Sequence, residues 1–178
     1  SPDFNSIRRA FIDKIDSSQV RAFNGLSAAN LRRPQIAAAR MINPVLREDL
    51  IRGVDPDFLH VMSPMQGYFD MITTGLSGDP RRFAVGQIAY DLTPMQSRFG
   101  YLEGDAVRTW YDRNLTMLRQ SDLILAISEA TRADVITRLS LPAETVVNIQ
   151  AGVDHALFVP PPAGTDIAAL KARLGLPP

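Results

Sequence analysis

Hydrophobic and polar positions along the second half of the chain alternate between two patterns. Leu123 to Ile127 is apolar throughout and stops at Ser128. Glu129 to Leu139 then has the spacing of a short amphipathic helix, and Val146 to Ile149 is apolar again. Continuous apolar strands separated by a helix are what a parallel sheet covered on both faces requires. Upstream, Phe58 to Met62 between Pro56 and Pro64 predicts a buried strand, and Phe83 to Leu92 contains another, centred on Val85 to Ala89. Asp105 to Gln120 predicts a helix with Val107, Tyr111, Leu115 and Leu118 on one face. The alternation from Phe58 onward predicts β-α-β units and a parallel α/β sheet.

The first fifty residues are more helical. Ser6 to Asp16 places Ile7, Phe11, Ile12 and Ile15 on one side of a helix, and Val20 to Phe23 reads as a short strand. Leu31 to Ile51 has a helical pattern that Pro44 should kink or split, because proline lacks an N–H and clashes with the preceding turn. Gly53 is placed to end it. Ser63 to Arg82 is irregular, with Gly67, Gly75, Gly78 and Pro80, and loops after strands are where function concentrates in open α/β sheets. Pro160 to Gly164 reads as a linker before a last helix, Thr165 to Leu174, capped by Thr165 or Asp166. These divisions predict an N-terminal segment at 1–29, the main domain at 30–159 and a connecting segment at 160–178.

Composition narrows the class. The 178 residues suffice for one domain with a real core. Lys plus Arg and Asp plus Glu each number 19, so the chain lacks the basic surplus of a general nucleic-acid binder. The absence of cysteine excludes disulfides and thiolate metal sites. No apolar run approaches the roughly 20 residues that span a bilayer, and no signal-peptide pattern is visible. Ser1 suggests a processed or expressed fragment, with Ser1 to Phe4 readable as a cloning remnant.

Four segments carry candidate chemistry. In Ile88-Ala89-Tyr90-Asp91-Leu92-Thr93-Pro94, Tyr90 and Asp91 fall at a strand end, the default ligand position in this topology. Tyr90 offers a hydroxyl and a stacking face but is a poor base at neutral pH, with an ordinary pKa of about 10; the structural alternative is that both residues merely finish the strand, and the strand-end position favours a ligand. Ser128 and Glu129 open a helix, where free N–H groups favour an anionic or polar ligand, and where a cap and an acid complementing the dipole need no ligand at all. In His60 to Gly67, Ser63 and Gln66 suit contact with a hydroxyl, while His60 in its apolar run reads as a core histidine. Gly152-Val153-Asp154 reads as a turn, Asp154 capping or bracing the segment after it. No His/Asp/Glu cluster has metal-ligand spacing, and neither a Gly-x-Gly-x-x-Gly nor a P-loop occurs. Arg32, Arg33, Arg40, Arg47 and Arg52, interspersed with Glu48 and Asp49, read as a solvated helix face.

Taken together, Ile88 to Pro94, Ile127 to Thr131, Gly152 to Asp154 and Phe158-Val159-Pro160 resemble the N-terminal domain of retaining glycosyltransferases of family four. Tyr90 stands where that family usually has His, as in some bacterial polysaccharide mannosyltransferase-like members; Gln66 stands for a more usual Glu, and Ala151 for the Asn of the family's hinge. The resemblance implies a Rossmann-like sheet with helices on both faces, half of a GT-B architecture without its first β-α unit. It implies an acceptor-side part of an enzyme moving a sugar, mannose by the nearest resemblance, from a nucleotide-sugar donor to a glycan or lipid-linked acceptor of a surface polysaccharide such as lipopolysaccharide. The donor would be bound mainly by a C-terminal domain outside this chain, without metal or other cofactor. Tyr90, Asp91, Ser63, Gln66, Ser128 and Glu129 would face the acceptor, and Gly152 and Asp154 would form the hinge. The location implied is the cytoplasm, at the inner face of the membrane if the arginine-bearing helix touches lipid. A non-catalytic sugar- or nucleotide-binding module, or a flavodoxin-like interaction domain, remains the alternative.

Overall fold

Among the described residues, four short parallel strands form one sheet in the order β1-β2-β3-β4, the order in which they occur along the chain. The computed structural model describes residues 2–11, 13–21, 37–68, 73–74, 76, 82–96 and 100–177. The strands are β1 (Phe58–Val61), β2 (Ala84–Ala89), β3 (Leu123–Ala126) and β4 (Val146–Asn148). The described helices are α1 (Pro2–Ala10), α2 (Ala37–Val54), α3 (Asp105–Arg119), α4 (Glu129–Leu139) and α5 (Ile167–Arg173). This is the Rossmann-like α/β fold expected, with helical crossovers α3 and α4 joining neighbouring strands.

Register decides what the core contains. Val61 lies opposite Gln87, Gln87 opposite Ile124, Ala89 opposite Ala126, and Ile124 opposite Val146. Side chains alternate across a strand, so these residues share one face with Val85. On that face Ala89, Ile124, Ala126 and Val146 pack with Tyr111, Leu115 and Leu118 of α3 and Val135 and Leu139 of α4. Successive right-handed crossovers between adjacent strands place both helices on this side. A smaller cluster of Val61, Phe83 and Val85 packs against Ile51 of α2. On the opposite face the Phe58 ring lies where a Cβ on Gly86 would stand, so glycine is required there by close approach.

Element ends follow local chemistry. The ladder runs one residue past β3 and β4, with Ile127 N donating to Ala89 O (3.2 Å) and Ile149 N to Ala126 O (2.9 Å). Ser128 caps α4 by accepting from Thr131 N at 3.1 Å, and Asp166 caps α5 by accepting from Ala169 N at 2.9 Å.

Several expectations are corrected. The first helix runs from Pro2 to Ala10 rather than from Ser6 to Asp16; Phe11 and Ile15 are about half exposed, so the apolar stripe lacks the packing that would hold further turns. Val20 and Arg21 are not in a strand, and Ala22 and Phe23 lie outside the described residues, as do Leu31 to Ile36. Pro44 does not split α2, which continues to Val54; the helix keeps Asn43, Pro44 and Glu48 buried, and that packing outweighs a missing N–H. Gly53 therefore lies within the helix, and Asp55 (φ 51°) takes the left-handed position beyond it. β1 is not a buried strand but an edge among the described residues, with Phe58 and Met62 exposed and His60 exposed rather than in the core. The arginine face is not uniformly solvated either. Arg47 Nη1 donates to Thr74 O at 3.0 Å and its pKa is pushed down by burial, while Glu48, buried, pairs with Arg52 at 2.8 Å. Arg32 and Arg33 lie outside the described residues.

Candidate functional site

Because β1, β2 and β3 are parallel, the residues just beyond them collect at one edge of the sheet. Ser63 comes after β1, Tyr90 and Asp91 after β2, and Ser128 after β3. Tyr90 is 50% exposed. Its carbonyl accepts from Thr131 Oγ1 at 3.0 Å, and Thr131 Oγ1 is itself 3.0 Å from Ser128 Oγ. The first turn of α4 is thus bolted to the end of β2.

Asp91 turns the chain away from the sheet. Its Oδ1 accepts from Thr93 N at 2.8 Å, opening a 3₁₀ turn over Thr93–Met95. The loop after β1 is fixed in a similar way. Gln66 Nε2 donates to Ser63 Oγ at 2.8 Å, and the Gln66 carbonyl accepts from Trp110 Nε1 of α3 at 3.0 Å. Tyr68 lies against the same indole, with ring centroids 5.2 Å apart.

These segments enclose a cavity of about 360 Å³. Ser63, Tyr90 and Asp91 line it together with Tyr101, Trp110 and Tyr111; the remainder of its wall is largely aliphatic, including Met65, Ile88 and Leu102. Tyr111 is 2% exposed, and its hydroxyl is buried with no hydrogen-bond partner among the described residues. Burial, and secondarily the charge of Asp91, push its pKa up to about 12, so it remains a donor at any working pH.

Of the residues singled out from sequence, Tyr90, Asp91 and Ser63 therefore share one cavity, with Gln66 holding Ser63 from behind. Ser128 and Glu129 stand one step away, outside its lining. Glu129 Oε1 pairs with Arg132 at 3.1 Å and its Oε2 accepts from Asn148 Nδ2 at 3.3 Å, so α4 is tied to β4. Arg132 extends that tie: Nε donates to Val146 O at 2.8 Å and Nη2 to Ala143 O at 3.1 Å. In the 150–158 segment the left-handed residue is Gln150 (φ 59°), not Gly152, which stands in open space. Asp154 braces the turn after it, its Oδ1 accepting from Ala156 N at 2.9 Å and its carbonyl from Phe158 N at 2.9 Å.

Sequence reasoning missed Trp110, Tyr101 and Arg132, and took Tyr111 as plain core. The signal available was the Trp-Tyr pair on α3, since one of two adjacent large aromatics must leave the buried stripe. Among the described residues no group of three or more His, Asp or Glu stands where it could hold a metal ion, and no helix is long and apolar enough to cross a membrane.

No protein-family model matches the chain. It is similar to three forms of the serotype-specific mannosyltransferase WbdA of Escherichia coli, each 23% identical over 175 residues that cover 98% of this chain. The chain spans 21–22% of the length of these relatives. The resemblance read from the motifs thus extends across nearly the whole chain: it is mannosyltransferase-like, and similar to about a fifth of a larger transferase.

Proposed function

We propose that this chain is the acceptor-side part of a bacterial glycosyltransferase acting in surface-polysaccharide assembly on the cytoplasmic side of the membrane. A nucleotide-sugar, with mannose as the first sugar to test, would be the donor, and a glycan or lipid-linked glycan the acceptor. The observation that carries this reading is the convergence of Tyr90, Asp91 and Ser63 on one cavity at the C-terminal edge of a parallel sheet, in a chain similar throughout to mannosyltransferases.

In this reading Tyr90 stacks on or hydrogen-bonds the acceptor sugar, and Asp91 orients one of its hydroxyls. Ser63, held by Gln66, adds a third polar contact. Ser128 and Glu129 support the edge through Thr131 and Arg132. Holding an acceptor in attack geometry is a large part of transfer rates, and the donor would arrive on a second domain hinged through 150–162. Tyr90→Phe and Asp91→Asn in a longer protein containing that domain are expected to lower transfer at least about tenfold without changing thermal melting. The measurement is steady-state transfer from nucleotide sugars, with product identified by mass spectrometry. Normal kinetics in both variants would return these residues to the role of ending a strand.

A further inference from the structure

The cavity is unlike a surface that receives only sugar. Sugars present hydroxyls on every side, whereas among the described lining residues Met65, Ile88, Leu102 and Val107 form an aliphatic stretch of wall that offers them nothing to pair with. Its volume is that of a small-ligand pocket, within the usual range of roughly 300–1,000 Å³. Among the described residues that line it, one buried donor, the Tyr111 hydroxyl, has no partner; the unpartnered Asn114 Nδ2 lies outside the lining. Polar groups gather instead at the mouth, where Tyr90 and Asp91 are exposed. A polar rim, an apolar interior and one unmatched donor describe a ligand with a polar head, an apolar body and an acceptor oxygen.

Resting on the acceptor-side function, we propose that this cavity is an aglycone pocket: it takes the apolar group attached to the acceptor sugar, joined through an oxygen that accepts the Tyr111 hydroxyl, while the sugar stays at Tyr90, Asp91 and Ser63. The acceptor class is then a glycoside of an apolar alcohol rather than a free oligosaccharide, because only the former fills the inner wall.

Trp110, the one tryptophan of the chain, lines the cavity and reports on it directly. The experiment titrates this chain with hexyl α-D-mannopyranoside, methyl α-D-mannopyranoside and 1-hexanol, monitoring Trp110 fluorescence and calorimetric heat. Hexyl mannoside is expected to bind at least about tenfold more tightly than methyl mannoside, since several methylenes leave water. Val107→Phe, which narrows the cavity, should weaken the hexyl glycoside by a similar factor and leave the methyl glycoside unchanged. Tyr111→Phe should weaken the hexyl glycoside several-fold, with circular dichroism showing both variants folded. Equal affinity for the two glycosides, or hexyl binding indifferent to Val107→Phe, overturns the pocket assignment and leaves the acceptor reading intact. A response to 1-hexanol with none to either glycoside overturns it for a different reason, because then no acceptor sugar is read beside the cavity.

Discussion

A single hydroxyl, that of Tyr111, makes the most exacting test of the site. It is buried, lacks a partner among the described residues, and titrates near pH 12 instead of 10. An orphaned buried donor contributes no net stability, so Tyr111→Phe is expected to stay within about 1 kcal/mol of the parent at neutral pH. Its pH dependence is signed. The folded-state pKa lies above the unfolded one, so Tyr111 favours the fold fully below pH 10, and that contribution is lost as the pH rises from about 10 toward 12. Chemical denaturation across this window should show the parent falling more steeply than Tyr111→Phe; equal slopes would mean that the phenol ionises as freely in the fold as out of it.

Among elements, α4 is the best secured, at both ends and along its side. Ser128 closes its N-terminus, Ser140 (φ 55°) leaves it in the left-handed conformation, and Arg132 joins its first turns to β4 and the preceding turn through the carbonyls of Val146 and Ala143. Hydrogen bonds from a charged donor are worth more than neutral ones. Arg132→Ala is expected to cost about 2 kcal/mol in denaturant midpoint, and Arg132→Lys to recover less than half of it, because a compact ammonium cannot serve a forked set of acceptors. Full recovery by lysine would reduce the guanidinium to a surface charge. Since α4 also holds Tyr90 through Thr131, loss of this tie should loosen the cavity edge as well.

For the molecule as a whole, the polar edge of the sheet opens outward, and the segment beyond β4 is exposed apart from partial cover at Leu170 and Lys171. Phe158 is 72% exposed and Leu157 76%, large side chains that a self-contained surface rarely leaves together in water. Under the proposed function these residues meet a donor domain, and the isolated chain is expected to show no turnover with nucleotide sugars and mannosides. Product detected by mass spectrometry from this chain alone would remove the need for a second domain.

The parallel sheet, its helices and the Tyr90-Asp91 strand end were legible in the sequence because each has a local cause: unbroken apolar runs, a 3.6-residue stripe, a serine at a helix start. α4 is bounded as its pattern predicts, from Glu129 to Leu139. The failures came where a pattern met, or did not meet, a partner. Phe58 to Met62 is an apolar run yet forms an edge among the described residues, since burial of a strand depends on what lies on both sides of it. Pro44 stays inside α2 because buried neighbours outweigh one lost hydrogen bond. The apolar stripe through Phe11 and Ile15 did not extend α1, because a stripe without a covering surface adds no stability. The same division runs through the site. Which polar residues end the strands is written in local sequence; that Trp110 and Tyr111 of α3 wall a cavity beside them depends instead on where a crossover helix lands on the sheet, and not on any residue's own chemistry.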